Sequence, residues 1–132
     1  MVNRVNRIEA LVDAIAALRG WSNPESVSYQ LRNPLLVHSF SKPGKNELDD
    51  EGRRVFKTSL AGYRACLFDL DLKVRGESRA GVKKDDKLEN LLRVYNIIEK
   101  LGQQQVVKFL KKALNTQDIS VQTPLAWFLE EK

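Results

Sequence analysis

The sequence predicts a mainly α protein, α+β at most. It reads as one domain over residues 1–132, with about five or six helices and a possible small β-hairpin. Three observations carry that reading. Apolar residues recur three and four apart in several separate stretches. Glycines and Asn-Pro or Thr-Pro pairs stand between those stretches, where helices start and stop. Short alternating patterns occur only at Leu35 to Phe40 and at Arg54 to Lys57.

The first helix is expected from about Asn3 to Leu18, with Val5, Ile8, Leu11, Val12 and Ile15 on one stripe. Arg4 and Arg7 fall off that stripe and read as a solvated face. Gly20 suits the position just past a helix end. Trp21 follows, then Ser22-Asn23-Pro24-Glu25-Ser26. Ser22 or Asn23 is expected to cap a short helix with Pro24 in its first turn. That helix would turn Val27 and Leu31 inward and hold Tyr29 and Arg32 at an edge. Pro34 ends it, because the residue before a proline is pushed out of helical geometry.

Residues 35–57 read as two short strands around the polar loop SKPGKNELDDEG, with plain loop as the alternative. Glu47, Asp49, Asp50 and Glu51 invite a calcium reading, but their spacing is not that of an EF-hand. No metal is expected there. Thr58 should cap a long helix to about Lys73, carrying Leu60, Tyr63, Leu67, Leu70 and Val74. This stripe is the strongest in the chain, so the helix is expected to be the most buried element. Gly62 within it suggests a close approach. Asp69 and Asp71, two apart, fall on different faces and do not make an acid–base couple. Cys66 reads as a small buried apolar residue, with no histidine near it in sequence; the only one is His38.

A fourth helix is expected from Asp86, with Leu88, Leu91, Leu92, Tyr95 and Ile98. Gly102 should separate it from a fifth bearing Val106, Val107, Leu110, Ala113 and Leu114. Lys108, Lys111 and Lys112 point the other way, as a solvated face. Thr123-Pro124 should cap a short closing helix with Leu125, Trp127 and Phe128.

Composition bounds the function. The chain has 132 residues, 42% hydrophobic and 30% charged, which places it among globular rather than disordered chains. One cysteine excludes an internal disulfide. No apolar run approaches a membrane span, and the start does not read as a signal peptide. A net charge of +5 favours anionic partners: nucleic acid, an acidic wall polymer or an acidic protein surface. No P-loop, dinucleotide-binding glycine pattern or zinc-type Cys/His set is present, so no cofactor is expected.

The order of short motifs resembles the small lysozyme-like domains of phages and bacteria, akin to lytic transglycosylases. Ala14-Ile15-Ala16-Ala17-Leu18-Arg19-Gly20-Trp21 is similar to that family's helix end, Ala-Ile-Ala-x-x-Glu-Gly-Trp. Asn23-Pro24-Glu25-Ser26, then Arg32-Asn33-Pro34, follow in the family order. Phe56, Thr58 and Gly62 match the opening of its long helix, and Thr123-Pro124-Leu125 its end. The resemblance implies a lysozyme-like single domain over nearly the whole chain.

Two departures decide what it implies for activity. Arg19 stands where the family carries its general acid, and Leu35-Leu36 stand where it has Gly-Asn after Asn-Pro. Glycoside cleavage needs a carboxylic acid to protonate the leaving oxygen. Arginine, with a pKa above about 12, cannot donate and recover a proton. The expectation is a degenerate, non-catalytic domain with a structural or binding role in a phage virion or phage-derived protein. Its partners would be other proteins of an assembly or a peptidoglycan-like glycan, in a virion or the host cytoplasm. Arg19, Trp21, Tyr29 and Asn33 are the candidate groove residues. Trp21 and Tyr29 would stack on sugar faces and Asn33 would hydrogen-bond to them; a core plug is the other reading of Trp21. Arg19 should point into the groove towards a carboxylate. Two alternatives remain: a peptidoglycan-cleaving enzyme with Glu25 as displaced acid, and a basic adaptor for nucleic acid using the Lys108, Lys111 and Lys112 face. No helix-turn-helix or basic-aromatic platform supports the last.

Overall fold

The structure is a computed structural model that describes residues 6–37, 48–49, 52–77 and 82–129. It is mainly helical. The elements are α1 (Arg7–Leu18), α2 (Val27–Leu31), α3 (Ser59–Val74), α4 (Leu88–Val94), α5 (Lys100–Ala113) and a closing 3-10 helix (Leu125–Leu129). No sheet forms among the described residues. Between described residues there are two isolated antiparallel bridges, Leu48 with Arg54 and Lys87 with Pro124. Of the expected hairpin, the described residues show the first bridge, an Asp49 N–H to Arg53 carbonyl bond of 2.8 Å and an Arg54 N–H to Val37 carbonyl bond of 2.9 Å. His38, Phe40 and most of the acidic loop lie outside them.

The centre of the core is α1, not α3 as the stripe predicted. Ile8, Ala10, Leu11, Val12, Ala14, Ile15 and Ala16 are all buried, and α1 packs on α3, α5 and the closing helix. A helix that is apolar almost all round can be covered from several sides. The helix starts at Arg7 rather than Asn3. The Asn6 side chain accepts the Ile8 N–H at 2.7 Å, an N-cap that fixes the entry.

The inward face of α3 is set by small residues. Gly62, Cys66, Leu70, Lys73 and Val74 are buried, while Leu60 is 57% exposed and Tyr63 and Leu67 are only partly covered. Gly62 determines this rotation. A Cβ there would lie 1.7 Å from the Arg32 carbonyl oxygen, so the α2–α3 approach requires glycine. Thr58 caps α3 as expected, accepting the Ala61 N–H at 3.0 Å.

Three further boundaries move. The cap of α2 is Ser26, not Ser22 or Asn23, and Pro24 lies in the preceding turn. That shift turns Ser28 inward and leaves Val27 exposed and Leu31 only half-buried. The start of α4 is Leu88, because Asp86, Lys87 and Leu88 are engaged with Thr123 to Leu125. Asn96 then takes a left-handed φ of 64°, so Ile97 is buried and Ile98 stands off the helix. Gly102 sits inside α5 instead of separating two helices. Its missing side chain admits Ile97 and Leu18, whose atoms would lie 3.3 and 3.7 Å from a Cβ. The Thr123 hydroxyl serves the upstream turn, accepting the Ser120 N–H at 2.9 Å, and the closing helix is 3-10.

Candidate functional site

The end of α1 makes the turn that carries the candidate residues. Gly20 has φ 77°, its N–H donates to Ala17, and the Trp21 N–H donates to Ala16. Those two bonds are a Schellman motif, and Gly20 supplies its left-handed residue without strain. The turn is tied to α2. Ser26 Oγ donates to the Gly20 carbonyl at 2.6 Å and accepts the Tyr29 N–H at 3.1 Å.

Arg19 is the C-cap of α1, and its Nη2 donates to the carbonyl of Tyr95, the C-cap of α4. Two helix C-termini therefore converge on one guanidinium, the end of the helix dipole that favours a cation. Burial pushes the Arg19 pKa below its ordinary value. Its Nε is buried with no hydrogen-bond partner. Among the described residues no carboxylate pairs with it, contrary to expectation; a backbone carbonyl takes that place.

Asn33 is 0% exposed and does not face a groove. Its Nδ2 donates to the Val37 carbonyl at 2.9 Å and the Arg54 carbonyl at 3.0 Å. Its Oδ1 accepts the Val37 N–H at 2.9 Å and the Cys66 thiol at 3.4 Å. The whole amide is engaged in joining the 33–37 turn to residue 54 and to α3, so it cannot reach a ligand without breaking the fold. Trp21 is half-buried, and Tyr29 is exposed on α2. Glu25 is exposed on the turn before Ser26, outside the first turn of α2. Its backbone N–H donates to Asn23 Oδ1 at 3.1 Å. Arg19 and Trp21 are thus neighbours on one turn, tied through Ser26 to Tyr29, whereas Asn33 is withdrawn into the frame.

Sequence reasoning missed a largely buried polar cluster that shares Tyr95 with Arg19. Tyr95 Oη donates to Asp69 Oδ2 at 2.7 Å, and Lys73 Nζ donates to the same oxygen. Lys73 Nζ also lies 4.5 Å from the Tyr95 ring centroid. Burial, then the Asp69 charge and hydrogen bond, hold the Tyr95 phenol well above its ordinary pKa. Burial pushes the Cys66 thiol up to about 12, so it is no nucleophile at neutral pH. The Asp69–Lys73 spacing of four was the available signal. Among the described residues no group of His, Cys, Asp and Glu side chains could hold a metal ion, and no helix is long and apolar enough to cross a membrane.

The chain matches no protein-family model, no curated protein and no solved structure.

Proposed function

We propose that the chain is a non-catalytic relative of the phage and bacterial lysozyme-like domains. Its role is structural or binding, in a phage particle or phage-derived assembly, with assembly proteins or a peptidoglycan-like glycan as partner. The observation that carries this is Arg19: at the place of the family's acid stands a cation bonded to the carbonyl end of α4. Such a group has no proton to give at neutral pH.

The packing of the family-like segments supports the scaffold half of the reading. Gly62 lies against the Arg32 carbonyl, the Phe56 N–H donates to the Leu31 carbonyl at 3.0 Å, and Cys66 bonds Asn33. Leu36 adds to this. It has φ 54°, a left-handed conformation that asparagine adopts more readily than leucine, and the family motif has Asn at that position. Nothing favours Glu25 as a displaced acid. Its carboxylate stands in solvent, whereas a glycosidase acid is held in a pocket.

The test is turbidity clearance of purified cell walls by the wild-type protein, together with co-sedimentation on the same walls. No clearance is expected. Clearance at a rate typical of a muramidase overturns the reading.

A further inference from the structure

The solvent side of α5 does not look like an ordinary solvated helix face. Val106, Val107, Leu110 and Gln103 are buried, so the opposite side is that of Leu101, Lys108 and Lys112, spaced seven and four apart. Leu101 is 70% exposed, and Ile98, just before the Glu99 N-cap, is also 70% exposed. Phe109 flanks the same side two turns further on, at 37% exposure. Single exposed apolar residues are normal, but here Ile98 and Leu101 stand three residues apart at the start of α5, and Phe109 edges the face that Leu101 shares with Lys108 and Lys112. The charge is one-sided as well. The segment Lys100–Ala113 contains four lysines and no acid, and none of Lys100, Lys108 and Lys112 has a carboxylate in ion-pairing range among the described residues.

We propose that this face docks an acidic, amphipathic helical segment of a partner protein, its apolar side chains on Ile98, Leu101 and Phe109 and its carboxylates on Lys108 and Lys112. Charge complementarity selects the occupant. A second copy of the chain placed two-fold on this face would set lysines against lysines. A lipid surface fits less well, because Gln105, Lys108 and Lys112 interrupt the apolar residues, so no continuous stripe can sink into acyl chains. A peptide helix can alternate apolar and acidic groups to match. The proposal does not use Arg19, and the wall-lysis result does not bear on it.

The experiment uses the full chain and a displayed library of random peptides about four helical turns long. Enriched peptides should be net acidic, with apolar residues three and four apart. The best of them, synthesised and titrated by fluorescence anisotropy, should bind at least about tenfold more weakly to Leu101→Ser and to Lys108→Glu. Binding should also weaken with added salt. Both substitutions are at exposed positions and should leave thermal melting unchanged; Phe109→Ser serves as a third variant should either fail to fold. No enrichment, enrichment of basic or uncharged peptides, or binding indifferent to all three substitutions overturns the proposal. So does co-sedimentation with phosphatidylglycerol vesicles that Leu101→Ser abolishes, which would reassign the face to lipid. Self-association through Leu101 in sedimentation velocity would reassign it to a second copy.

Discussion

The carbonyl oxygen of Arg32 occupies the space where residue 62 would carry a side chain, 1.7 Å from an ideal Cβ on Gly62. Arg32 is itself left-handed, with φ 53°, because it closes α2 just before Asn33 turns into the core. The contact is backbone against backbone and cannot be relieved by a rotamer change. Gly62→Ala should therefore destabilise the protein by about 1–3 kcal/mol, although alanine is the better helix former by about 1 kcal/mol. A urea melt showing equal or greater stability would contradict the close approach.

The second prediction concerns which helix forms the core. Leu11 on α1 is fully buried, whereas Leu67 on α3 is half-buried. Leu11→Ala should cost about 2–5 kcal/mol and Leu67→Ala clearly less. Equal losses in parallel denaturant melts would return α3 to the centre.

Helical periodicity located α1, α3, α4 and α5, because amphipathic spacing survives any packing arrangement, while the short α2 was signalled by capping and proline residues and its inward face was misread. It misjudged the inward face of α3, since large apolar residues dominate a periodic reading while Gly62 and Cys66 determine how closely two backbones meet. It overextended α4, since the pairing of residues 86–88 with 123–125 is a tertiary event with no local signature. At the site, the helix-end role of Gly20 was legible from local turn chemistry. The bond from Arg19 to Tyr95 was not, because it joins residues far apart in sequence. Asn33 was misread because a conspicuous polar residue beside a proline serves a turn as readily as a ligand.

The third prediction follows from Leu36. A left-handed non-glycine residue costs about 1–2 kcal/mol, and asparagine pays least of that among residues with a side chain. Leu36→Asn should therefore be neutral or stabilise by up to about 1 kcal/mol, despite the apolar surface it removes. Leu35→Asn, at a fully buried neighbour, should cost at least about 2 kcal/mol. Thermal melts of the pair check both signs. A loss at Leu36 matching that at Leu35 would refute the strain argument.

Alkaline pH should unfold the protein progressively. Cys66 and Tyr95 are neutral when protonated, and burial raises both in the folded chain, the thiol from 9.0 to about 12. Below pH 9 both groups keep their protons whether the chain is folded or not, so their contribution is fully present. Above it the unfolded chain releases them first, and stability falls as pH rises towards the folded values. The slope is up to about 1.4 kcal/mol per pH unit for each group. Cys66→Ala should flatten the decline just above pH 9, where the thiol acts before the phenol. Urea midpoints that stay level from about pH 8 to about pH 10.5 would contradict the buried cluster.

Arg19 gives the last prediction, because its stability and activity effects can be read separately. Its guanidinium bridges the C-terminal ends of α1 and α4 through the Tyr95 carbonyl. Arg19→Met keeps the aliphatic stem and loses that bond, which should cost about 1 kcal/mol. Arg19→Glu places a carboxylate beside a carbonyl at two negative helix ends, and should cost about 2 kcal/mol at neutral pH. The order wild type, Arg19→Met, Arg19→Glu in urea melts tests the structural role alone. The same carbonyl environment favours the protonated form of an introduced carboxyl, which is the state a general acid needs. Wall lysis absent in the wild type and gained in Arg19→Glu would then tie the missing activity to this one side chain. Lysis by Arg19→Met as well would show that the arginine blocks a pocket in which another group is the acid, and the proton argument for this position would fail.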